Sequence, residues 1–340
     1  MAHLSAKDIA AALTSKANEI ASELSEADIE ALSSDEAILD MKKRIISYNQ
    51  MLREKITFIN DELTNSIPFT KENLYLIAAN SGAGKSSAAA NIAYPLWRQG
   101  KKILIVSTEE PAEDIYFRIG CLHYGVSFNS YKKGLMPIDG QSRIVSLFSE
   151  MKKYVFVVDV RTKDGAVFNA DWVQKTMQTI RNSNYSCVMI DYFQLIKHDR
   201  AHPSLKTYEV LNNFRIFLMQ YIKSCSMPVV LFAQLHSLSK RPGKEIDNRI
   251  KECPTIVEAA TIIIEVVPNY KSEHSDFIIH KSRFDGTIVG KTFRMGFKEG
   301  KYVSYTQDFI DWVNTKRIDN LKKDVAKVEA ADREVDDGSL

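Results

Sequence analysis

The chain has 340 residues, 45% of them hydrophobic and 10% aromatic, with 45 Lys and Arg against 43 Asp and Glu. That length implies about two domains, and the apolar and aromatic content supports packed cores and excludes wholesale disorder. No run of roughly 18 apolar residues is present, so no membrane span is expected. The cysteines, Cys121, Cys187, Cys225 and Cys253, form no CxxC pair, which rules out a zinc ribbon and predicts reduced, mostly buried thiols of a cytosolic protein.

The near balance of charge hides a polarised chain. Residues 1–40 set nine carboxylates against Lys7 and Lys16, and residues 329–340 set five against Arg333. The long middle is therefore basic, as suits an anionic partner. The acidic start argues against a secretory signal or a mitochondrial transit peptide.

In chain order, residues 1–31 read as helical, with Ile9, Leu13, Ile20 and Leu24 at helical spacing. Ser33 and Glu36 form a capping box that opens a second helix over 34–54, striped by Ile38, Met41, Ile45, Tyr48 and Leu52. So short a region makes a poor core of its own and is expected to pack on the main body or on another chain. From residue 55 the pattern becomes strand–helix alternation. Apolar runs at 74–79, 103–107, 154–160, 187–191 and 228–233 are separated by helical segments at 85–98, 111–124, 169–182 and 205–225. This predicts a mostly parallel sheet with helices on both faces. After Thr261 the runs 261–267, 277–280 and 292–297 read as strands joined by turns, and the last 25 residues as a helix or a frayed tail. The expected division is a helical region at 1–54, an α/β domain at 55–312 and a charged tail at 313–340.

The strongest motif spans residues 74–93, an apolar strand, a glycine-containing loop ending Gly84-Lys85-Ser86, and a helix. This is a phosphate-binding loop: backbone N–H groups and the helix N-terminus point at phosphate oxygens. Ser81, Gly82, Ala83, Gly84, Lys85, Ser86 and Ser87 are the candidate nucleotide-binding residues. Lys85 is expected to reach the outer phosphates of ATP or another NTP, and Ser86 to ligate Mg²⁺. Ala79 stands where the first glycine of such loops is usual. A second apolar strand ends at Asp191, the expected partner of Ser86 at the metal. Tyr192, not a glutamate, follows it, so the catalytic base is sought elsewhere. Glu109, with Glu110 as the fallback, closes the strand after the phosphate-loop helix; that strand is expected to lie next to the phosphate-loop strand and so put the carboxylate beside the γ-phosphate.

A third strand ends at Gln234, placed to sense the γ-phosphate. The loop beyond it holds Lys240, Arg241, Lys244, Arg249 and Lys251, and the loop after Asp191 holds Lys197, His198, Arg200 and Lys206. Two basic loops beside successive sheet ends point to phosphate-backbone contacts with DNA, and the scarcity of aromatics in them argues against base stacking. A fourth strand leads into Lys281 and Arg283, where an arginine could complete a neighbour's site.

Together these residues resemble the RecA-like ATPase domain of DnaB-type replicative helicases and the helicase half of phage and mitochondrial primase-helicases. GAGKS, the Ser107–Pro111 run, MIDYFQL, FAQLH and KSRFDG occur in the matching order across residues 56–305. The resemblance implies a six-subunit ring, ATP hydrolysis with Mg²⁺ at subunit interfaces, and single-stranded DNA in the central channel. It implies Glu109 as base, Gln234 as sensor, Lys281 and Arg283 acting in trans, and residues 34–54 as a linker helix docked on the adjacent subunit. It also implies a cytoplasmic setting in a bacterial or phage-infected cell, with primase, polymerase or loader proteins as further partners and no membrane. The sequence departs from the relatives at Arg249–Pro254, where they carry a glycine-containing stretch. The alternative reading is a DNA-dependent RecA-like ATPase, of recombinase or clamp type, that does not unwind.

Overall fold

The computed structural model describes residues 57–159, 170–181, 184–196, 205–223, 227–236 and 246–337, together with 38, 39 and 41. Met1–Lys55 and Ile56–Leu340 form separate units. In the first, Ile38, Leu39 and Met41 are helical and exposed; the rest of the two expected N-terminal helices lies outside the described residues.

In the second unit, α1 (Asp61–Ser66) is capped by Asn60, whose Oδ1 accepts from Leu63 N, and leads to β1 (Leu74–Ala79). After α2 (Lys85–Arg98), β2 (Lys102–Ser107) and α3 (Ala112–Tyr124) come three short helices, α4 (Phe128–Lys132), α5 (Ile138–Ser146) and α6 (Phe148–Met151). The alternation resumes with β3 (Val155–Asp159), α7 (Ala170–Ile180), β4 (Tyr185–Asp191), α8 (Thr207–Ile222) and β5 (Val229–Gln234). The chain continues through α9 (Ile256–Ala259), β6 (Ile262–Asn269), β7 (His274–Ser282), β8 (Thr292–Lys298), β9 (Lys301–Ser304) and α10 (Gln307–Asp337).

The strands make one sheet in the order β3-β2-β4-β5-β1-β6-β7-β8-β9. The first six in that order are parallel, and β7, β8 and β9 extend the sheet antiparallel. Every residue of β1 is buried, as a central strand covered on both faces requires. Its side chains alternate between two cores. Tyr75, Ile77 and Ala79 join the face covered by α2 and α3, and Leu74, Leu76 and Ala78 the face covered by α7 and α8. On α2, Ala88, Ala89, Ala90 and Ala93 are small enough to bring the helix close to the sheet, with Ile92, Leu96 and Trp97 filling the margins.

The RecA-like architecture expected from the sequence is therefore present, with three corrections. β2 is not beside β1: β4 and β5 lie between them, because the α2 crossover carries the chain outward before β4 and β5 fill the gap. The short helices α1 and α4–α6 were not anticipated; α4–α6 bury few apolar residues each and so lack a strong helical stripe. Finally, the last residues take the helical one of their two expected forms, but α10 already begins at Gln307, so the expected boundary at residue 313 falls inside it, and its start is docked by Phe309 and Val313. Gly296 makes that docking possible: a Cβ there would sit 2.5 Å from the Phe309 ring. Cys121, Cys187 and Cys253 are buried, as expected; Cys225 lies outside the described residues.

Candidate active site

The carboxyl ends of the parallel strands carry the site, the usual position in open α/β sheets. The turn after β1 is closed by a bond from Ala83 N to Asn80 O at 3.1 Å. Gly82 (φ 72°) and Gly84 (φ 93°) take left-handed conformations that favour glycine. Gly84 is also the N-cap of α2, so the free N–H groups of the first helical turn open onto the loop. Lys85 is buried at the start of the helix, and its Nζ stands 5.3 Å from the centre of the Tyr192 ring.

Ser86 Oγ donates to Asp191 Oδ2 at 3.1 Å, joining the loop to the end of β4. Asp191 is buried and its Oδ1 has no hydrogen-bond partner. Burial pushes its carboxyl up to about 6, against the opposing pull of Lys85 and of the Ser86 bond. A serine hydroxyl next to a buried carboxylate with an unsatisfied oxygen is an oxygen donor set that fits Mg²⁺.

Thr108 locks β2 to β4 at this level. Its N–H and Oγ1 both donate to Asp191 O at 2.8 Å, and its Oγ1 accepts from Tyr192 N at 3.0 Å. Ser107 Oγ donates to Glu110 O at 2.7 Å and fixes the bend beyond. The two candidate bases are held differently. Glu110 Oε1 accepts from Arg118 Nη2 at 2.6 Å, and Arg118 lies over the Phe128 ring at 4.0 Å. Glu109 is exposed to the cleft, and burial and the nearby Glu109 carboxylate hold the proton of the Tyr192 phenol more tightly. Tyr192, noticed in the sequence only as a missing glutamate, thus stands near both Lys85 and Glu109.

Glu109 and Glu110 line the same cleft as Gly82–Ser87, a space of about 550 Å³. Ser81 is exposed at the turn and does not line it. The opposite wall comes from parts of the chain to which the sequence assigned no site role: Tyr270 and Glu273 between β6 and β7, Phe297, Tyr302, and Lys316 of α10. Tyr302 Oη would lie 3.3 Å from a Cβ on Gly84, a close approach that also favours glycine there. Asn91 on α2 donates to Gly300 O at 2.8 Å and accepts from Tyr302 N at 3.0 Å.

Gln234 is half-buried at the end of β5, in register with Ala79 of β1. The buried Gln194 clasps its backbone, accepting from Gln234 N at 3.2 Å and donating to Gln234 O at 2.9 Å. The loop beyond β5 closes on itself through a Leu235–Ile250 bridge and a bond from His236 N to Arg249 O. Of the basic residues expected to meet DNA, Lys197, Arg200, Lys240, Arg241 and Lys244 lie outside the described residues. Lys206 is exposed at the N-cap of α8 and Lys251 is half-buried. Arg249 departs from the expectation of a loop cation facing outward. Its guanidinium turns inward onto both oxygens of Glu265, which also pairs with His280 Nε2 at 2.8 Å. Glu265 is 4% exposed. Burial raises its carboxyl, but the His280 and Arg249 contacts outweigh this and hold it below the usual range.

Lys281 and Arg283, at and just beyond the end of β7, are not in the cleft. Lys281 Nζ donates to Val257 O and Arg283 Nη2 to Glu258 O, each at 2.5 Å, so both meet carbonyls of α9. Burial and the neighbouring Arg283 lower the Lys281 ammonium's affinity for its proton.

A phosphate loop, a serine–aspartate pair and a carboxylate just beyond β2, set on this sheet, define a RecA-like P-loop nucleoside triphosphatase. The family model described as DnaB-like helicase C terminal domain matches residues 57–307. The chain belongs to that family of NTP-hydrolysing replicative helicases. No curated protein matches the sequence. Among solved structures, one described as an ATPase domain is similar, with a TM-score of 0.63 and 19% identity over 81% of this chain and 99% of that one. A DnaB-like replicative helicase, described with its primase interactions, gives a TM-score of 0.61 and 18% identity over 88% of this chain and 77% of that one. No helix among the described residues is long and apolar enough to cross a membrane.

Proposed function

We propose that the protein is an ATP-driven, ring-forming DNA helicase that moves on single-stranded DNA. The observation that carries this reading is the convergence of Lys85, Ser86, Asp191 and Glu109 at one end of the sheet in a chain of the DnaB-like family. The N–H groups of Gly82–Ser87 and the Lys85 ammonium hold the phosphates. Ser86 and Asp191 would hold Mg²⁺, which would supply charge neutralisation to the phosphates. Glu109, free of the Arg118 pairing that occupies Glu110, orients the attacking water and takes its proton. Gln234, one strand from the phosphate loop, reports the γ-phosphate to the segment 237–245.

Assembly is a six-subunit ring, with Lys281 and Arg283 reaching a neighbour's nucleotide. Exposed Ile38, Leu39 and Met41 on the N-terminal helix, and exposed Leu135, Ile138 and Val145 around α5, offer apolar surface for contacts between copies. The basic residues Lys197, Arg200, Lys240, Arg241 and Lys244 supply charge for binding the DNA strand, helped by Lys206 and Lys251. The test is ATP-dependent unwinding of a forked duplex, with Lys85→Ala as the inactive control. Strand separation supports the helicase reading. Hydrolysis stimulated by DNA without separation identifies a clamp-type ATPase instead, and hydrolysis indifferent to DNA overturns both.

A further inference from the structure

The wall of the cleft opposite the phosphate loop is built by a chain of contacts that begins on the C-terminal helix. α10 is fixed at its start by buried Phe309 and Val313. From its next turn, Lys316 Nζ donates to both oxygens of Glu273 at 2.8 Å, and Arg317 Nη2 donates to Lys271 O. Both acceptors lie at the turn between β6 and β7. Glu273 there adopts a left-handed backbone, φ 47°, which a residue with a side chain keeps only when its surroundings hold it. The bonds from Lys316 and from Phe297 N to Glu273 O, the latter at 2.7 Å, do so. At the start of the same turn Tyr270, 73% exposed, reaches across the cleft and donates its hydroxyl to Gly82 O at 2.8 Å.

The Tyr270 bond meets the phosphate loop at a residue whose backbone is held by few contacts of its own. Gly82 has no side chain, a positive φ, and nothing within 4 Å of where a Cβ would stand. Its carbonyl and the Ala83 N–H belong to one peptide plane; the N–H donates to Asn80 O at 3.1 Å, so Tyr270 and Asn80 hold that peptide from its two sides, and with it the loop whose following amides open at the start of α2. A nucleotide that meets loop amides already oriented avoids the cost of ordering them on binding.

We propose that Tyr270 is a positioning residue for nucleotide binding, and that α10 presets the phosphate loop through the β6–β7 turn. The proposal rests on the cleft being the nucleotide site. One hydrogen bond is worth about 0.5–1.5 kcal/mol, so losing it weakens nucleotide affinity by roughly 2–12-fold at 1.4 kcal/mol per tenfold.

The experiment titrates a fluorescent ATP analogue with Mg²⁺ into the full chain and its Tyr270→Phe, Lys316→Ala, Lys316→Arg and double Tyr270→Phe/Lys316→Ala variants, with melting temperatures measured alongside. Tyr270→Phe removes only the hydroxyl of an exposed ring. It is expected to raise Kd and KM several-fold while kcat at saturation stays within about twofold. Lys316→Ala is expected to do the same, Lys316→Arg to restore affinity, and the double variant to lose less than the product of the single losses, since both act through one turn. An unchanged Kd in Tyr270→Phe overturns the role of the tyrosine. A normal Lys316→Ala, or fully multiplicative losses, overturns the link to α10. Absence of analogue binding by the unaltered protein instead overturns the assignment of the cleft itself.

Discussion

Replacing Glu265 by Gln tests whether the buried Arg249–Glu265–His280 cluster stabilises the domain. The substitution keeps shape and one acceptor oxygen but removes the charge that both Arg249 and His280 face. Removing one partner of a buried ion pair costs about 3–5 kcal/mol. Arg249 keeps 15% side-chain exposure and His280 24%, so water recovers part of the loss, and we expect about 2–3 kcal/mol. For a domain of this size each kcal/mol moves the melting temperature by roughly 2–4 °C, which gives a fall of about 4–12 °C at neutral pH. The sign with pH follows from the lowered carboxyl. The unfolded chain binds this proton more readily than the folded one, so acid favours unfolding. The contribution is complete above the ordinary glutamate range, about 4.3, and is lost as pH falls through the lower folded value. Calorimetry of the two proteins at neutral pH and at successively more acid pH should therefore show the gap closing towards acid. A neutral-pH difference below about 1 °C, or a gap that widens on acidification, would refute the reasoning.

Glu109→Gln should bind ATP but hydrolyse it roughly 10²–10⁴-fold more slowly, whereas Glu110→Gln, which only weakens the Arg118 pairing, should keep most turnover; reversed outcomes in steady-state assays would move the base by one residue. Gly296→Ala drives a Cβ to 2.5 Å from Phe309 and should cost about 1–3 kcal/mol in urea unfolding; an unchanged midpoint would show that α10 shifts freely. Arg283→Ala should abolish hydrolysis yet bind ATP, and mixing it with Lys85→Ala should restore part of the rate; normal turnover by Arg283→Ala alone would leave only its bond to Glu258 O. Removal of residues 1–54 should reduce the assembled mass in light scattering while the melting temperature of the remainder holds, and an unchanged mass would remove the N-terminal helices from assembly.

What the sequence made legible was local. The strand at 74–79 and the helix at 85–98 were expected at the bounds the structure shows, because a run of apolar residues, a glycine loop and an alanine-rich helix are each encoded by neighbours. The carboxyl ends of β2, β4 and β5 were readable for the same reason. The order of strands was not. Nothing in residues 99–107 announces that β2 passes over two positions before pairing. The far wall of the cleft was hidden too, since Tyr270 meets Gly82 across 188 residues and Tyr302 meets Asn91 across 211. Arg249 shows the limit from the other side. In sequence it belongs to a basic run, and only the partner strand reveals Glu265, an acid among the apolar residues of β6, waiting to take it.

The amide of Asn91 has a mechanical consequence. It stands two turns beyond the phosphate loop on α2 and grips the β8–β9 hairpin from both directions, giving to one carbonyl and receiving from one amide. α2 therefore cannot slide or rotate at the pull of a bound phosphate without either breaking that pair or carrying the hairpin along. Any movement of the phosphate-loop helix would thus carry the antiparallel edge with it, and with that edge the start of α10, packed against Gly296 of the same hairpin.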